Sequence, residues 1–217
     1  MEFLLFIQKN NGILLKALEQ HLVICIVALS LGFIVAFPAG ILLTRNRKAA
    51  QFVLGFFGVV NTIPSLVLLG VAMIYLGIGF MPAVAVLFVY SLLPIMRNTY
   101  IGIVDVPPKY IKAATGVGMS PAQILVKVEI PLSLPAIITG IRLSAIYIIS
   151  WATLSTFIGA GGLGDLIWSG LQGFNYNMLM LGAIPATALA LLTSFLLSLA
   201  ERASLKYTKG SKGRASS

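Results

Sequence analysis

Five apolar runs, each bounded by charge, proline or glycine, constrain this chain more than anything else in its sequence. They cover 22–44, 52–76, 82–96, 135–158 and 178–200. Four are 23 residues or longer, and a bilayer core needs about 20 in a helix; 82–96 is shorter. With 59% hydrophobic and 10% charged residues, no soluble core could hide so much apolar surface. The expected fold class is therefore an all-α integral membrane protein of about five transmembrane helices. A single domain is expected at 217 residues. The expected divisions are an interfacial segment at 1–20, a membrane body at 21–200 and a basic tail at 201–217. No removable leader is expected, because the start carries Glu2 and lacks a basic region with a cleavage site.

The basic residues gather at the ends of these runs, as topology determinants do. Arg45, Arg47 and Lys48 follow the first run. Arg97, Lys109, Lys112, Lys127 and Arg142 surround the long central loop, and Arg202, Lys206, Lys209, Lys212 and Arg214 form the tail. With the N-terminus outside and five spans, 13 of the 15 lysines and arginines lie on the inner side, leaving Lys9 and Lys16 outside. The net charge of +9 is thus accounted for without nucleic acid.

The central loop, 105–135, is the only long interior stretch where charge, proline and glycine accumulate. It reads as two short helices. The first opens at Pro108, which suits a first helical position, and fades near Gly116 and Gly118. The second opens at Ser120 with Pro121 in its first turn and Gln123 three residues on, the pattern of a capping box. Pro131 is expected to end it.

Elsewhere the runs hold few polar groups. Asn61, Thr62 and Pro64 interrupt the second, and a packing kink and a broken helix beside a solute route both fit that pattern. Tyr147, Trp151 and Ser155 recur at helical spacing on the fourth, so one face is mildly polar. His21, the single histidine, reads as an interfacial residue at a segment edge. Cys25 reads as a packed thiol that can form no intrachain disulfide. The run from Gly159 to Gly164 satisfies G-x-G-x-x-G, but no strand precedes it and no ribose-binding acid follows. It reads as flexible backbone in an outer loop, with Trp168, Phe174 and Tyr176 as interfacial anchors. There is no metal-ligand spacing, no nucleophile motif and no acidic residue deep in a span. Catalytic chemistry and ion-coupled transport are therefore not expected.

The loop also carries a resemblance. Lys112-Ala113-Ala114, then Gly118, then Val128-Glu129-Ile130-Pro131 resembles the EAA loop of permease subunits of binding-protein-dependent ABC importers. That motif runs Glu-Ala-Ala, three residues, Gly, nine residues, then Ile-x-Leu-Pro; Lys112 stands in place of the glutamate. The likeness covers most of 20–200. Asn61-Thr62-Ile63-Pro64-Ser65, the stretch 91–100 and the stretch 157–165 resemble the osmoprotectant branch, whose members carry glycine betaine, carnitine or choline.

The resemblance implies a type I permease fold and a cytoplasmic loop docked on ATPase subunits. It implies a second permease, identical or not, and an external solute-binding protein. ATP would be bound by the ATPase and no cofactor by this chain. It makes Lys112, Ala113, Ala114, Gly118, Val128, Ile130 and Pro131 the coupling residues. The route candidates are Asn61, Thr62, Pro64, Tyr147, Trp151 and Ser155. The alternatives are a permease of a related ABC importer for another small solute, a membrane-embedded enzyme or scaffold that recruits another protein through the loop, and an osmotically gated channel.

Overall fold

The computed structural model describes residues 2–214, with side chains through 205. Lys206, Lys209, Lys212 and Arg214 of the tail therefore lie outside the described side chains. All regular structure among the described residues is helical. A short α1 (Glu2–Lys9) precedes α2 (Asn11–Leu43), α3 (Arg47–Thr62), α4 (Ser65–Leu76) and α5 (Phe80–Val104). Next come α6 (Pro108–Gly116), α7 (Pro121–Ile124) and a π turn (Leu125–Glu129). They lead into α8 (Ile130–Ala152), a 3-10 turn (Thr153–Ile158), α9 (Leu163–Gln172) and α10 (Tyr176–Arg214).

The centre of the body is α5, flanked by α2 and α8. Its buried side includes Val84, Leu87, Tyr90, Ser91, Ile95 and Thr99. Helix α2 presents Ala28, Gly32, Ala36 and Gly40 at intervals of four residues along its buried stripe. Such small residues are what close approach of membrane helices requires, since lipid supplies no hydrophobic drive between helices. A β-carbon at Gly32 would fall 1.8 Å from Ser91 Oγ, and one at Gly40 would fall 2.8 Å from the Met96 carbonyl oxygen. Gly140 makes the matching approach from α8, where a β-carbon would meet the Pro94 carbonyl oxygen at 2.8 Å. Ser144 Oγ donates to the Ser91 carbonyl at 2.8 Å and fixes the register of that contact.

Several boundaries differ from expectation. Helix α2 runs without interruption from Asn11, so the second half of the expected interfacial segment belongs to the first long helix. Its Lys16 and Glu19 are exposed and need no lipid. The third run extends to Val104 in α5, leaving Arg97 as an exposed side chain on a continuous helix. Pro131 does not end a helix: 121–158 forms one apolar helical stretch of 38 residues. The π turn explains why. The Ile130 amide reaches back to the Leu125 carbonyl, five residues away, and the widened turn makes room for the proline ring just beyond it.

Candidate coupling loop and solute path

The loop stands on two helix ends with complete caps. At the end of α6, Gly118 has φ +81°. Its amide donates to the Thr115 carbonyl at 3.0 Å, and the Met119 amide donates to the Ala114 carbonyl at 3.1 Å. These two bonds form a Schellman motif, which needs a left-handed residue where Gly118 lies. At the start of α7, the Ser120 side chain accepts from the Gln123 amide, and Gln123 Oε1 accepts from the Ser120 amide at 2.9 Å. The expected capping box is therefore present.

Lys112 and Ala113 are exposed on α6, whereas Ala114 is buried and taken up within the chain. Nothing lies within 4 Å of a β-carbon placed at Gly118. Within this chain that glycine supplies the left-handed turn, not close packing. Val128 lies in the π turn and Ile130 and Pro131 in the first turn of α8, all half-buried. Val117 and Val126 are 76% and 61% exposed on the loop; sequence alone does not single them out, because the loop holds many other apolar residues.

At the other end of α8 lies an aromatic cluster. Tyr147 stacks on Trp151 with centroids 5.2 Å apart, and Trp151 meets Tyr90 at 4.3 Å. Tyr90 Oη donates to the Ile63 carbonyl. That carbonyl is at the break between α3 and α4, where the axis turns by 94° and Pro64 cannot donate. Tyr90 thus satisfies the broken span and joins it to α8, so Pro64, Tyr147 and Trp151 come together around a residue that periodicity did not reveal. Of the cluster, Tyr147 is 40% exposed.

Asn61 Nδ2 donates to the Phe57 carbonyl at 3.1 Å and Thr62 Oγ1 to the Val59 carbonyl at 2.7 Å. The Thr62 donor is thus spent on its own helix, whereas Asn61 keeps a second N–H and its Oδ1. Ser155 is fully buried, with Oγ donating to the Ala152 carbonyl at 2.6 Å.

His21 is also enclosed, contrary to an interfacial place. Its Nε2 donates to the Ile149 carbonyl at 3.2 Å, one of the last four carbonyls of α8, which lie outside the regular helical pattern. The G-x-G-x-x-G run is packed, not loose: Gly159, Gly161 and Gly162 all have positive φ, and Gln20 Oε1 accepts from the Gly162 amide at 3.2 Å. Near the opposite membrane end, Arg142 and Glu201 form an ion pair at 3.2 Å. Thr139 Oγ1 donates to the same carboxylate at 2.9 Å, tying α8 to α10.

Comparison with known proteins places this architecture. Residues 21–206 match the family described as binding-protein-dependent transport system inner membrane component. The carnitine transport permease protein OpuCB of Listeria monocytogenes is 50% identical over 88% of each chain. The choline transport system permease protein OpuBB of Bacillus subtilis (strain 168) is 45% identical over 91% of each. Among solved structures, an inward-facing MetNI methionine ABC transporter aligns with TM-score 0.80 at 24% identity, covering 90% of this chain and 98% of that one. The fold is that of a type I importer permease, and the chain is a transport subunit, not an enzyme. The family's name implies a solute-binding protein and an ABC ATPase as partners. On a match spanning most of its length, this chain belongs to the binding-protein-dependent transport system inner membrane components.

Proposed function

We propose that this permease moves a small quaternary ammonium osmoprotectant, of the glycine betaine, carnitine and choline class, into the cytoplasm on energy supplied by a separate ATPase. The substrate class follows the names of relatives at 45–50% identity. Exposed Tyr147, stacked on Trp151, suits it, because aromatic faces attract such cations. In this reading the N-terminus is outside and the loop and tail are inside. A second permease, of the same or related sequence, completes the route. ATP binds to the ATPase and not to this chain.

One observation carries the mechanism. The capped start of α7 and the aromatic cluster belong to a single helical stretch, 121–158, so roughly 45 Å of rod separates Pro121 from Trp151. An ATPase that grips Lys112, Ala113, Val117 and Gly118 and shifts this loop would displace Tyr147 and Trp151 with it. Side-chain motion alone could not transmit a shift so far.

Uptake of labelled glycine betaine by cells expressing the chain with its ATPase and binding protein tests the reading. Gly118→Asp should abolish uptake while insertion and abundance stay normal. The site is open within the chain, and the left-handed strain there is about 1 kcal/mol. Normal uptake in that variant would remove the docking assignment, and flux that persists without ATP hydrolysis would point to a channel.

A further inference from the structure

Five of the six left-handed glycines meet at one end of the body: Gly77, Gly79, Gly159, Gly161 and Gly162. The Gly79 amide donates to the Ile158 carbonyl at 2.7 Å. A β-carbon at Gly159 would fall 2.9 Å from Ile78, and one at Gly161 would fall 2.6 Å from Gln20. Two turns and the flank of α2 are thereby locked together. Beside them opens a cleft of about 350 Å³, within the size range of small-ligand sites. Its polar wall is Lys16, Glu19 and Gln20, and its apolar wall includes Val23, Phe80 and Ala160.

We propose that this cleft is a receiving site for a small zwitterion bearing a quaternary ammonium and a carboxylate; the substrate class rests on the function proposed above. Lys16 and Glu19 lie three residues apart on α2, which places their β-carbons about 5–6 Å from each other on one face. Neither is ion-paired among the described residues, where the ion pair is Arg142–Glu201. A ligand carrying opposite charges a few bonds apart matches that spacing. The Glu19 carboxylate and the Phe80 ring, 40% exposed, attract the quaternary cation. The Lys16 ammonium takes the ligand carboxylate by a charge-assisted hydrogen bond. The Gln20 carboxamide is already held by Gly162, and the locked turns leave little of the wall to be ordered on binding. In the orientation proposed above this is the outer end, where solute arrives before it reaches Tyr147 and Trp151.

Equilibrium binding of labelled glycine betaine and labelled choline to the permease–ATPase complex in nanodiscs, without binding protein, tests the site. Both should bind saturably. Lys16→Gln should weaken glycine betaine about tenfold, the scale of one charge-assisted contact, and leave choline unchanged, because choline has no carboxylate. Glu19→Gln and Phe80→Leu should weaken both; leucine keeps apolar bulk without a ring face, and size-exclusion profiles verify folding. Absence of saturable binding, or equal binding by all variants, overturns the proposal. So does a variant that alters only the affinity of the binding protein for the complex, since the cleft would then be a protein contact. If the full assembly imports with unchanged KM in every variant, the cleft assignment fails while the transport function stands. If the parent assembly imports no quaternary ammonium compound, the function itself fails.

Discussion

A methyl group added at Gly164 would lie 2.0 Å from the Thr153 carbonyl oxygen, and one at Gly182 would lie 2.7 Å from that of Leu163. Both obstacles are backbone, so no rotamer change relieves them. Gly164→Ala should therefore cost about 3 kcal/mol and lower the Tm of the detergent-solubilised chain by about 5–10 °C. Gly55 is the contrast: it lies inside α3 with nothing within 4 Å. Gly55→Ala should hold or raise Tm, because alanine favours a helix interior by up to about 1 kcal/mol. Equal effects at the two sites would contradict the packing described here. Sequence shows that glycines cluster at 159–164 but not what each touches. The same limit hid His21: an imidazole at the edge of an apolar run reads as interfacial until the carbonyl of Ile149, 128 residues away, is seen beside it.

Among elements, the rod from α7 to α8 matters most, and its first turn depends on the capping box. Ser120→Ala removes the acceptor for the Gln123 amide, at a cost of about 1 kcal/mol. Hydrogen exchange at Gln123 and Ile124 should quicken about fivefold, while amides of α8 beyond Ser133 stay as slow as in the parent. Acceleration along all of α8 would mean that the cap stabilises the whole body. Much of this scale was legible in advance: Ser120, Gln123 and Pro108 announce helix starts by local chemistry, and length with hydropathy announces spans. Where the outcome depended on distant structure, local rules failed. Pro131 reads as a stop by its missing amide alone, yet a π turn absorbs it. Helix α9 went unseen because its ten residues form only one amphipathic face over α10 and α2, too short to stand out between two apolar runs. For the candidate site, the loop was legible because its motif is contiguous. The aromatic cluster was half legible, since Tyr147 and Trp151 share a helix while Tyr90 comes from another.

At the scale of the whole molecule, charge asymmetry and the direction of force transmission must agree. Every basic residue from Arg45 through Arg202 belongs to the end that holds the loop or to the connections that reach it, whereas Lys16 lines the cleft at the glycine turns. The positive-inside rule supports the proposed placement of the loop in the cytoplasm, the side where an ATPase finds ATP. Lys112, Ser120 and Lys16 are all exposed, so each can carry a reporter at the surface, at Ser120 with loss of the α7 cap. In a chain carrying Cys25→Ala, Lys112→Cys and Ser120→Cys should react with a membrane-impermeant maleimide only after the cells are permeabilised, whereas Lys16→Cys should react in intact cells. The three positions bracket the body, which makes the test independent of any one loop's mobility. If 112 and 120 labelled from outside, the rod would carry its handle on the side without ATP. No motion of α8 could then be driven from it, however well its caps and its aromatic end are built.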